Sequence, residues 1–273
     1  MNDAGQYQLE GSAAELYERH LVPAITALWA NDLIDHAAPQ PGGRVLDLAC
    51  GTGIVARLAA DRIRAARIVG VDINTRMLAV ARARSTGAAR LIEWLEASAL
   101  ALPFRDESFD LIFCQLGLQF FPDKPLALKE MRRVLIGAGR VALSVFSGIE
   151  RTPAANALAD ALDHNLGVGA SQTKRSEHGL CDQRELSALV TAAGFHDLTI
   201  RAVTQTIRFA SAGEYVRLQL SATPMAALLE GMDGPRATGK ADRDNYGSDE
   251  VASYRRGYSG VGLSTGSLCR VCD

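Results

Sequence analysis

The sequence has no long hydrophobic run and no excess of positive charge, and each absence excludes a class of protein. No apolar stretch approaches the roughly 18–20 residues of a membrane-spanning helix, so we expect no membrane span. The 29 Lys and Arg residues face 31 Asp and Glu residues, which leaves no basic field for a nucleic-acid backbone. The N-terminal segment has no basic head followed by an apolar stretch, so we expect no signal peptide.

Cysteine is scarce, with five residues scattered over 273 positions. An odd, dispersed set argues against a disulfide framework and predicts a reducing, cytoplasmic compartment. Cys269 and Cys272 form one C-x-x-C pair, but a structural zinc site needs four ligands and no histidine lies nearby, so we expect no metal. The length allows one large domain, or one domain and a cap.

Short apolar runs alternate with helical patterns once a Pro- and Gly-rich break at 39–43 has been passed. A helical pattern precedes the break, over 12–38. The runs are continuously apolar, as in strands covered on both faces, and their alternation with helices predicts an open parallel α/β sheet. The predicted strands are 44–49, 67–72, 90–96, 109–116 and 140–146, and the predicted helices between them are 54–64, 75–85 and 125–135.

Beyond this region the alternation weakens. Helical patterns cover 153–164, 183–193 and 213–231, and the Gly- and Ser-containing stretch 165–180 predicts a loop. The stretch 197–209 alternates apolar and polar residues, which predicts a half-exposed strand.

The motif VLDLACGTG, at residues 45–53, carries the chemistry. A strand ends there, the chain turns on Gly51 and Gly53, and a helix begins. Ligands of open α/β sheets bind beyond the carboxyl ends of the strands. Gly51, Gly53 and Ala56 also satisfy the dinucleotide fingerprint, and Asp72 stands where a carboxylate can bind ribose hydroxyls. The loop alone leaves two cofactors open, NAD and S-adenosylmethionine.

Three further features separate these two cofactors. Asp47 lies inside the first strand, where a carboxylate suits a cationic group and would repel a pyrophosphate. The segment SALALPF at 98–104, with SFD at 108–110, connects the third strand to the fourth. The segment FFPD at 120–123 precedes a helix that ends in MRRVLIGAGR.

With these motifs in this order, the chain resembles the class I S-adenosylmethionine-dependent methyltransferases, in the group of the ubiquinone/menaquinone biosynthesis methyltransferases. The resemblance is strong over 40–147 and weaker over 12–39 and 180–220. It implies a doubly wound, Rossmann-like α/β fold, with a mostly parallel seven-stranded sheet, helices on both faces and an N-terminal helical cap. It also implies three parts: a cap (1–39), a cofactor-binding core (40–147) and a substrate-side segment that completes the sheet (148–273).

In that family a last antiparallel strand enters the sheet, and only residues 261–271 are placed to supply it here. Three turn-forming residues interrupt this stretch, which lacks the apolar density of a central strand. We therefore expect residues 233–273 to be poorly packed or atypical of the family.

Carried over position by position, the resemblance implies cofactor-binding roles for residues of several segments. The glycine loop would line the methionine end of S-adenosylmethionine. Asp72 would bind its ribose hydroxyls, and Ile73 and Met77 would flank its adenine. Because a β-branched side chain would fill the space that the ligand needs, we expect Gly53→Val to abolish cofactor binding and to leave the fold largely intact.

The remaining implied positions lie on the other strand ends and in the cap. Ser98, where the family more often has Asp, and Ala99 match positions at the adenine edge. Gln115 matches a position that faces the reacting methyl, and Tyr17 one that covers the cofactor. The implied set is Tyr17, Asp47, Ala49, Cys50, Gly51, Gly53, Asp72, Ile73, Met77, Ser98, Ala99, Leu100 and Gln115.

Two of these segments depart from the family pattern. Ala49 replaces the first glycine that is often present in the loop, and LIGAG at 135–139 replaces a Leu-x-Pro-Gly-Gly turn, which we interpret as a structural change.

The resemblance implies transfer of a methyl group, by in-line displacement, to a small and partly apolar metabolite such as a quinol or phenol. The sulfonium already activates the methyl, so the protein mainly aligns the reactants, and the sequence identifies no catalytic residue. Residues 114–117 are CQLG, without the Asn/Asp-Pro-Pro-aromatic motif of nucleic-acid amino methyltransferases. His20 and His178 lie in segments expected to cover the site. The alternatives are an NAD-dependent oxidoreductase and a non-catalytic S-adenosylmethionine-binding module.

Overall fold

Five parallel strands form the centre of the sheet in this computed structural model, which describes residues 12–226 and the backbone of 265–269. Two short strands continue the sheet at one side, where β7 pairs antiparallel with both β5 and β6. The order across the sheet is β3-β2-β1-β4-β5-β7-β6. The strands are β1 (Arg44–Leu48), β2 (Arg67–Asp72), β3 (Glu93–Glu96), β4 (Phe109–Gln115), β5 (Leu135–Val145), β6 (Leu198–Ile200) and β7 (Thr265–Cys269).

At several of the described helices a side chain caps the first turn. The Asn74 side chain accepts hydrogen bonds from the amides of Arg76 and Met77 at the start of α4, and Asp123 caps α5 in the same way. Ahead of β1, α1 (Ala13–Leu16) continues through a π-helical segment (Tyr17–Thr26) into α2 (Ala27–Ala37). The others are α3 (Ile54–Arg62), α4 (Thr75–Arg84), α5 (Lys124–Val134), α6 (Pro153–Leu166), α7 (Gln172–Ser176), α8 (Gln183–Ala192) and α9 (Ala212–Ala222).

Alternate residues of the parallel strands pack against helices on opposite faces of the sheet. On one face Val45 and Phe113 pack with α2 and α3. On the other face Leu46 and Ile112 pack with α5 and α8. The parallel α/β sheet expected from the continuously apolar strands and the doubly wound, Rossmann-like arrangement that the resemblance implies are therefore confirmed.

The strand order reverses between β1 and β4. The chain runs outward from β1 through β2 to β3, and then crosses back to place β4 on the other side of β1. Such a switch point opens a crevice at the carboxyl ends of the strands. Asp47 in β1 and Gln115 at the end of β4 stand beside this crevice.

One of the sequence-based element assignments is wrong in type, and another is wrong in extent. The stretch 165–180 contains the helix α7, whereas we expected a loop. The predicted strand 197–209 reduces to the three residues of β6. Exposure still alternates from residue to residue over 201–209, so the pattern reflects one half-buried face, but no strand within the described residues pairs with it.

Other elements differ from expectation only at their ends. β3 begins at Glu93, after a 3-10 turn over Gly87–Leu91. β5 begins at Leu135, so the LIGAG segment belongs to the strand, and its pairing with β4 shifts register between Phe109 and Leu111. α9 ends at Ala222, short of the predicted limit of 231.

The expectation of poor packing over 233–273 falls mostly outside the described residues. Of that range the structure describes only the backbone of β7, which lies inside the predicted strand 261–271. Among the described helices, none has both the length and the apolar character needed to cross a bilayer.

Candidate active site

A cavity of about 670 Å³ opens at the carboxyl ends of the parallel strands. The strand ends form one side of its wall, and the π-helical segment, α7 and α9 contribute to the rest. Every predicted site residue except Gly53 lies in this wall. The wall thus includes Tyr17, Asp47, Ala49, Cys50, Gly51, Asp72, Ile73, Met77, Ser98, Ala99, Leu100 and Gln115.

The two glycines of the loop have different structural roles. Gly51 has a φ of +55°, and a Cβ added there would meet no atom within 4 Å. Gly53 has a φ of +83°, and a Cβ added there would overlap the indole ring of Trp94. The expectation that a side chain at Gly53 would fill ligand space is therefore wrong, because that space belongs to Trp94. Gly70 accommodates the same ring.

Two non-glycine residues beside the cavity adopt left-handed backbone conformations. Ala49 follows β1 with a φ of 54°, and Leu116 follows β4 with a φ of 53°. Left-handed geometry costs an alanine or a leucine about 1–2 kcal/mol relative to the right-handed region. Ala49 therefore keeps the conformation that the glycine it replaces would adopt freely, and two of the strained backbone positions border the cavity.

Asp47 is a buried acid that forms no ion pair within the described residues. Its Oδ2 accepts a hydrogen bond of 2.9 Å from the amide of Ala56 in the first turn of α3. The pKa of Asp47 is raised to about 7, chiefly by burial and also by the nearby charge of Asp72, while the Ala56 amide and Arg57 act in the opposite direction. The carboxyl is thus balanced between its neutral and charged forms near neutral pH.

Asp72 lies at the end of β2, next to Asp47 on β1. Its Oδ2 accepts from the Gly51 amide at 2.7 Å, and its Oδ1 accepts from the Asn74 amide at 2.8 Å. Burial raises the pKa of Asp72, and these backbone amides partly offset that effect. The carboxylate therefore holds the glycine loop against the start of α4 while it faces the cavity.

The nearest basic side chains are engaged elsewhere. Arg57 pairs with the buried Glu18 at 2.8 Å and donates to the carbonyl of Thr52. Within the described residues, neither Asp47 nor Asp72 forms an ion pair with a basic side chain. Two carboxyls at adjacent strand ends, the buried Asp47 and the half-buried Asp72, have no ion-pair partner among the described residues, which makes this part of the cavity suited to a cationic ligand.

The π-helical segment closes the cavity from above the strand ends. The Nε2 of Gln115 donates to the carbonyl of Thr26 at 2.7 Å, which fixes this segment to the end of β4. Glu18 fixes it to α3 and α4 through Arg57 and Arg84. Burial raises the pKa of Tyr17 to about 12, and both Asp72 and Glu177 lie near enough to contribute.

The remainder of the cavity wall is mostly apolar, with one cluster of polar side chains that sequence analysis did not identify. The apolar surface is supplied by Leu21, Ile25, Phe120, Phe121 and Phe146. The polar cluster consists of Lys174, Glu177, Gln219 and Tyr215. The Lys-x-x-Glu spacing at 174–177 would have suggested this ion pair, had the segment been identified as helical.

The histidines and the cysteine near the site are not arranged for catalysis. Neither His20 nor His178 lies in the cavity wall. The Nδ1 of His178 contacts the Ser147 carbonyl at 2.6 Å, and its ring packs against Phe146. Cys50 does line the cavity, but burial raises the pKa of its thiol, so it is not a prepared thiolate. Among the residues described, no cluster of His, Cys, Asp and Glu is arranged to hold a metal.

Sequence comparison relates the chain to a family of methyltransferases. Residues 20–167 match the ubiE/COQ5 methyltransferase family, which is more than half of the chain. The ubiquinone/menaquinone biosynthesis C-methyltransferase UbiE of Xylella fastidiosa is 35% identical over 189 residues, covering 64% of this chain and 75% of that protein.

Two further relatives are more similar over shorter regions. The 2-phytyl-1,4-naphtoquinone methyltransferase of Thermosynechococcus vestitus is 41% identical over 49% of this chain and 61% of its own length. The demethylmenaquinone methyltransferase of Thermus thermophilus is 39% identical over 43% of this chain and 54% of its own length. The chain thus spans little more than half the length of these two relatives.

Solved structures share the fold at low sequence identity. A SAM dependent methyltransferase from Aquifex aeolicus superposes with a TM-score of 0.55 at 16% identity, over 71% of this chain and 94% of that one. The [4+2]-cyclase SpnF superposes with a TM-score of 0.54 at 21% identity, over 90% of this chain and 81% of that one. These likenesses establish the fold, and the second illustrates that one fold supports different reactions.

Proposed function

Because this chain belongs to the ubiE/COQ5 methyltransferase family, we propose that it transfers a methyl group from S-adenosylmethionine to a small, partly apolar acceptor of the quinol or phenol class. The names of its relatives refer to quinone methylation, and the apolar part of the cavity suits such an acceptor.

One observation carries the cofactor assignment: the buried Asp47 and the half-buried Asp72 form a pair of carboxyls at adjacent strand ends, without ion-pair partners among the described residues. S-adenosylmethionine carries an α-amine and a sulfonium, both cationic, and two ribose hydroxyls that a carboxylate can accept from. A pyrophosphate would meet repulsion at the same place. The open space above Gly51 supports close approach of a ligand to the backbone there.

The remaining predicted positions take their roles from this orientation. Asp47, Ala49, Cys50 and Gly51 would hold the methionine end, and Asp72 would accept hydrogen bonds from the ribose hydroxyls. The adenine would lie between side chains on either side of the β2 and β3 ends. Those side chains are Ile73, Met77, Ser98, Ala99 and Leu100.

The cofactor supplies a methyl on a sulfonium that is already activated toward displacement. What the chain contributes is alignment and exclusion of water. Gln115 and Tyr17 lie where the strand ends meet the cap, and the apolar wall around Phe121 would hold the acceptor face toward them. Correct alignment of two reactants contributes up to roughly 7–11 kcal/mol to a displacement of this kind.

The architecture and setting complete the proposal. We assign the helical cap to 1–39, the cofactor-binding core to 40–147 and the substrate side to 148–273, on a seven-stranded sheet of the family type. Tyr17 and Ile25 in the cavity wall support the first boundary, and Lys174 and Gln219 support the last. The balanced charge supports a cytoplasmic enzyme that does not act on nucleic acid.

The test is formation of S-adenosylhomocysteine, followed by mass spectrometry, in mixtures of the chain, S-adenosylmethionine and either menadiol or menadione. We expect product with menadiol, the reduced form, because its ring carbon and hydroxyl oxygens are nucleophilic, and none with menadione. A chain that binds S-adenosylmethionine but forms no product with menadiol or with a panel of simple phenols would be a binding module and would contradict the proposed activity.

A further inference from the structure

Lys174, Glu177 and Gln219 form a buried polar cluster in the apolar part of the cavity. The Nζ of Lys174 donates to Oε2 of Glu177 at 2.6 Å and to Oε1 of Gln219 at 2.8 Å. The side chains of Lys174 and Glu177 are 5% and 7% exposed. Taking both charges out of water is costly, so a pair in this position calls for an explanation beyond chance.

The cluster is not saturated by its own hydrogen bonds. An ammonium has three hydrogens, and Lys174 uses two of them within the described part of the chain. Oε1 of Glu177 has no hydrogen-bond donor among the described residues, yet it is not among the fully enclosed atoms that lack a partner. One donor hydrogen of Lys174 and one acceptor oxygen of Glu177 therefore have no partner among the described residues, and both side chains line the cavity.

The cluster lies on the same cavity as the acidic strand ends. Tyr17 connects the two parts, because both Asp72 and Glu177 act on its hydroxyl group. Tyr215 adjoins the cluster from α9, where burial and the charge of Glu177 raise its pKa. The cluster is also outside the residues that match the family, which end at 167.

We propose that Lys174, Glu177 and Gln219 form the binding site for a hydroxyl oxygen of the methyl acceptor. This assignment rests on the proposed function, and it makes the cluster a determinant of acceptor specificity. A phenolic hydroxyl is both donor and acceptor: it donates to Oε1 of Glu177 and accepts from the third N–H of Lys174. Gln219 holds Lys174 in that orientation.

The surroundings define the rest of the acceptor. Leu21, Ile25, Phe121 and Phe146 line the same cavity and offer no polar side-chain atom. A flat aromatic ring satisfies these walls, and a single hydroxyl satisfies the cluster. A ligand without a hydroxyl would leave the free hydrogen of Lys174 and Oε1 of Glu177 desolvated and unpaired, which is the unfavourable case for buried polar groups.

The alternative role for the cluster is structural, as an ion pair that joins α7 to α9. The two roles differ in one measurable respect. A structural pair affects the stability of the fold, and it affects ligands with and without a hydroxyl equally. A hydroxyl-binding pair changes the ratio of the two affinities.

The test compares binding of 1-naphthol and naphthalene to the full chain by equilibrium dialysis, in the wild type and in a Lys174→Met/Glu177→Met variant. Replacing both partners with apolar side chains of similar volume avoids an unpaired buried charge. We expect the preference for 1-naphthol to fall by about 10-fold or more in the double variant, with naphthalene binding equal or stronger. A preference that stays within 2-fold of the wild type overturns the proposal.

Arg175→Gln is the matched control. Arg175 lies in the same helix but pairs with the exposed Asp160 at 2.7 Å, and it does not line the cavity. We expect its naphthol preference to equal that of the wild type, and a loss as large as that of the double variant would overturn the proposal. If the double variant does not fold, Glu177→Gln replaces it. We expect its preference for 1-naphthol over naphthalene to fall by at least 3-fold, and an unchanged preference would overturn the proposal.

This result is independent of the cofactor assignment. Titration of S-adenosylmethionine into the same variants tests the proposed function, since neither Lys174 nor Glu177 belongs to the strand-end part of the wall. A chain that binds no S-adenosylmethionine but prefers 1-naphthol through the cluster would refute the function and leave the hydroxyl site standing.

Discussion

At the scale of single residues, the buried carboxyl of Asp47 links the chemistry of the cavity to the stability of the fold. Its pKa is about 7, against an ordinary value of 3.8, chiefly because burial disfavours the charge. In the unfolded chain the group ionises at the ordinary value. The folded state therefore loses stability as the pH rises from about 3.8 through about 7, as Asp47 is forced to ionise in place. A bound cation would offset this loss by favouring the charged form.

Asp47→Asn removes that pH dependence. Asn keeps a side-chain oxygen for the Ala56 amide and carries no charge, so we expect the variant to be more stable than the wild type at pH 8, by roughly 1–4 kcal/mol. The advantage should shrink steadily as the pH is lowered toward 4. Urea unfolding of both proteins at pH 5 and pH 8 measures it. An advantage that is equal at the two pH values would show that Asp47 does not titrate in this range.

The two loop glycines should respond differently to the same small substitution. Gly53→Ala combines a left-handed backbone with overlap against the Trp94 ring, so we expect it to destabilise the fold by about 2–5 kcal/mol. Gly51→Ala meets only the backbone penalty of about 1–2 kcal/mol, but its methyl group enters the cavity. We expect it to weaken S-adenosylhomocysteine binding more than it weakens the fold.

Thermal unfolding and calorimetric titration of both glycine variants check this difference. If Gly53→Ala is as stable as Gly51→Ala, the ring of Trp94 does not occupy the space assigned to it.

The role of a residue could be predicted from the sequence when that role depends on neighbours close to it along the chain. Asp47 and Asp72 were identifiable because each sits in a short strand-loop motif whose geometry the sequence encodes. The role of Gly53 was not identifiable, because it depends on Trp94, which is 41 positions away and reaches the loop only through the pairing of β2 with β3. Lys174 and Gln219 are hydrogen-bonded although 45 positions separate them, and local sequence patterns do not reveal such contacts.

At the scale of elements, the π-helical segment over Tyr17–Thr26 covers the cavity, and Leu21 and Ile25 pack it against α9. Glu18 is its charged anchor, with Arg57 at 2.8 Å and Arg84 at 3.3 Å sharing its Oε1. Because Arg57 is itself only 13% exposed, removing the charge of Glu18 leaves a largely buried guanidinium without its counter-ion.

We therefore expect Glu18→Gln to lower the free energy of unfolding by roughly 2–4 kcal/mol and to speed amide exchange over 17–26. Asp35→Asn is the matched control, since it removes the exposed pair of Arg62 with Asp35, and it should cost less than about 1 kcal/mol. Equal effects of the two variants on amide exchange in 17–26 would show that Glu18 does not anchor the segment.

The elements that sequence predicted best are those with their own start and stop residues. β2 agrees residue for residue, and α4 begins at the predicted Thr75 because Asn74 caps it. The failures lie where tertiary pairing decides. Residues 201–209 keep a strand-like alternation of exposure but have no strand partner in the part of the chain that the structure describes, and α7 is too short for its periodicity to stand out from a loop.

At the scale of the whole molecule, the order of the strands determines where chemistry can occur. The reversal between β1 and β4 places the acid of β1 and the amide of Gln115 on one crevice, which the π-helical segment and α9 also line. The family resemblance drawn from VLDLACGTG and its companion segments is confirmed by the match over residues 20–167. It succeeded because several motifs in fixed order constrain a family far more than one glycine loop does.

The central claim, that the acidic strand ends bind S-adenosylmethionine, is tested most directly by calorimetric titration of S-adenosylmethionine and of NADH. The proteins are the wild type, Asp72→Ala, Asp47→Asn and the control Asp110→Ala, which removes a carboxylate at the start of β4 that pairs with Arg44. We expect the wild type to bind S-adenosylmethionine and Asp72→Ala to bind it roughly 10-fold to 150-fold more weakly. Asp47→Asn should also bind it more weakly, and Asp110→Ala should match the wild type. Saturable binding of NADH that Asp47→Asn leaves equal or tightens, with no binding of S-adenosylmethionine to the wild type, would contradict the account.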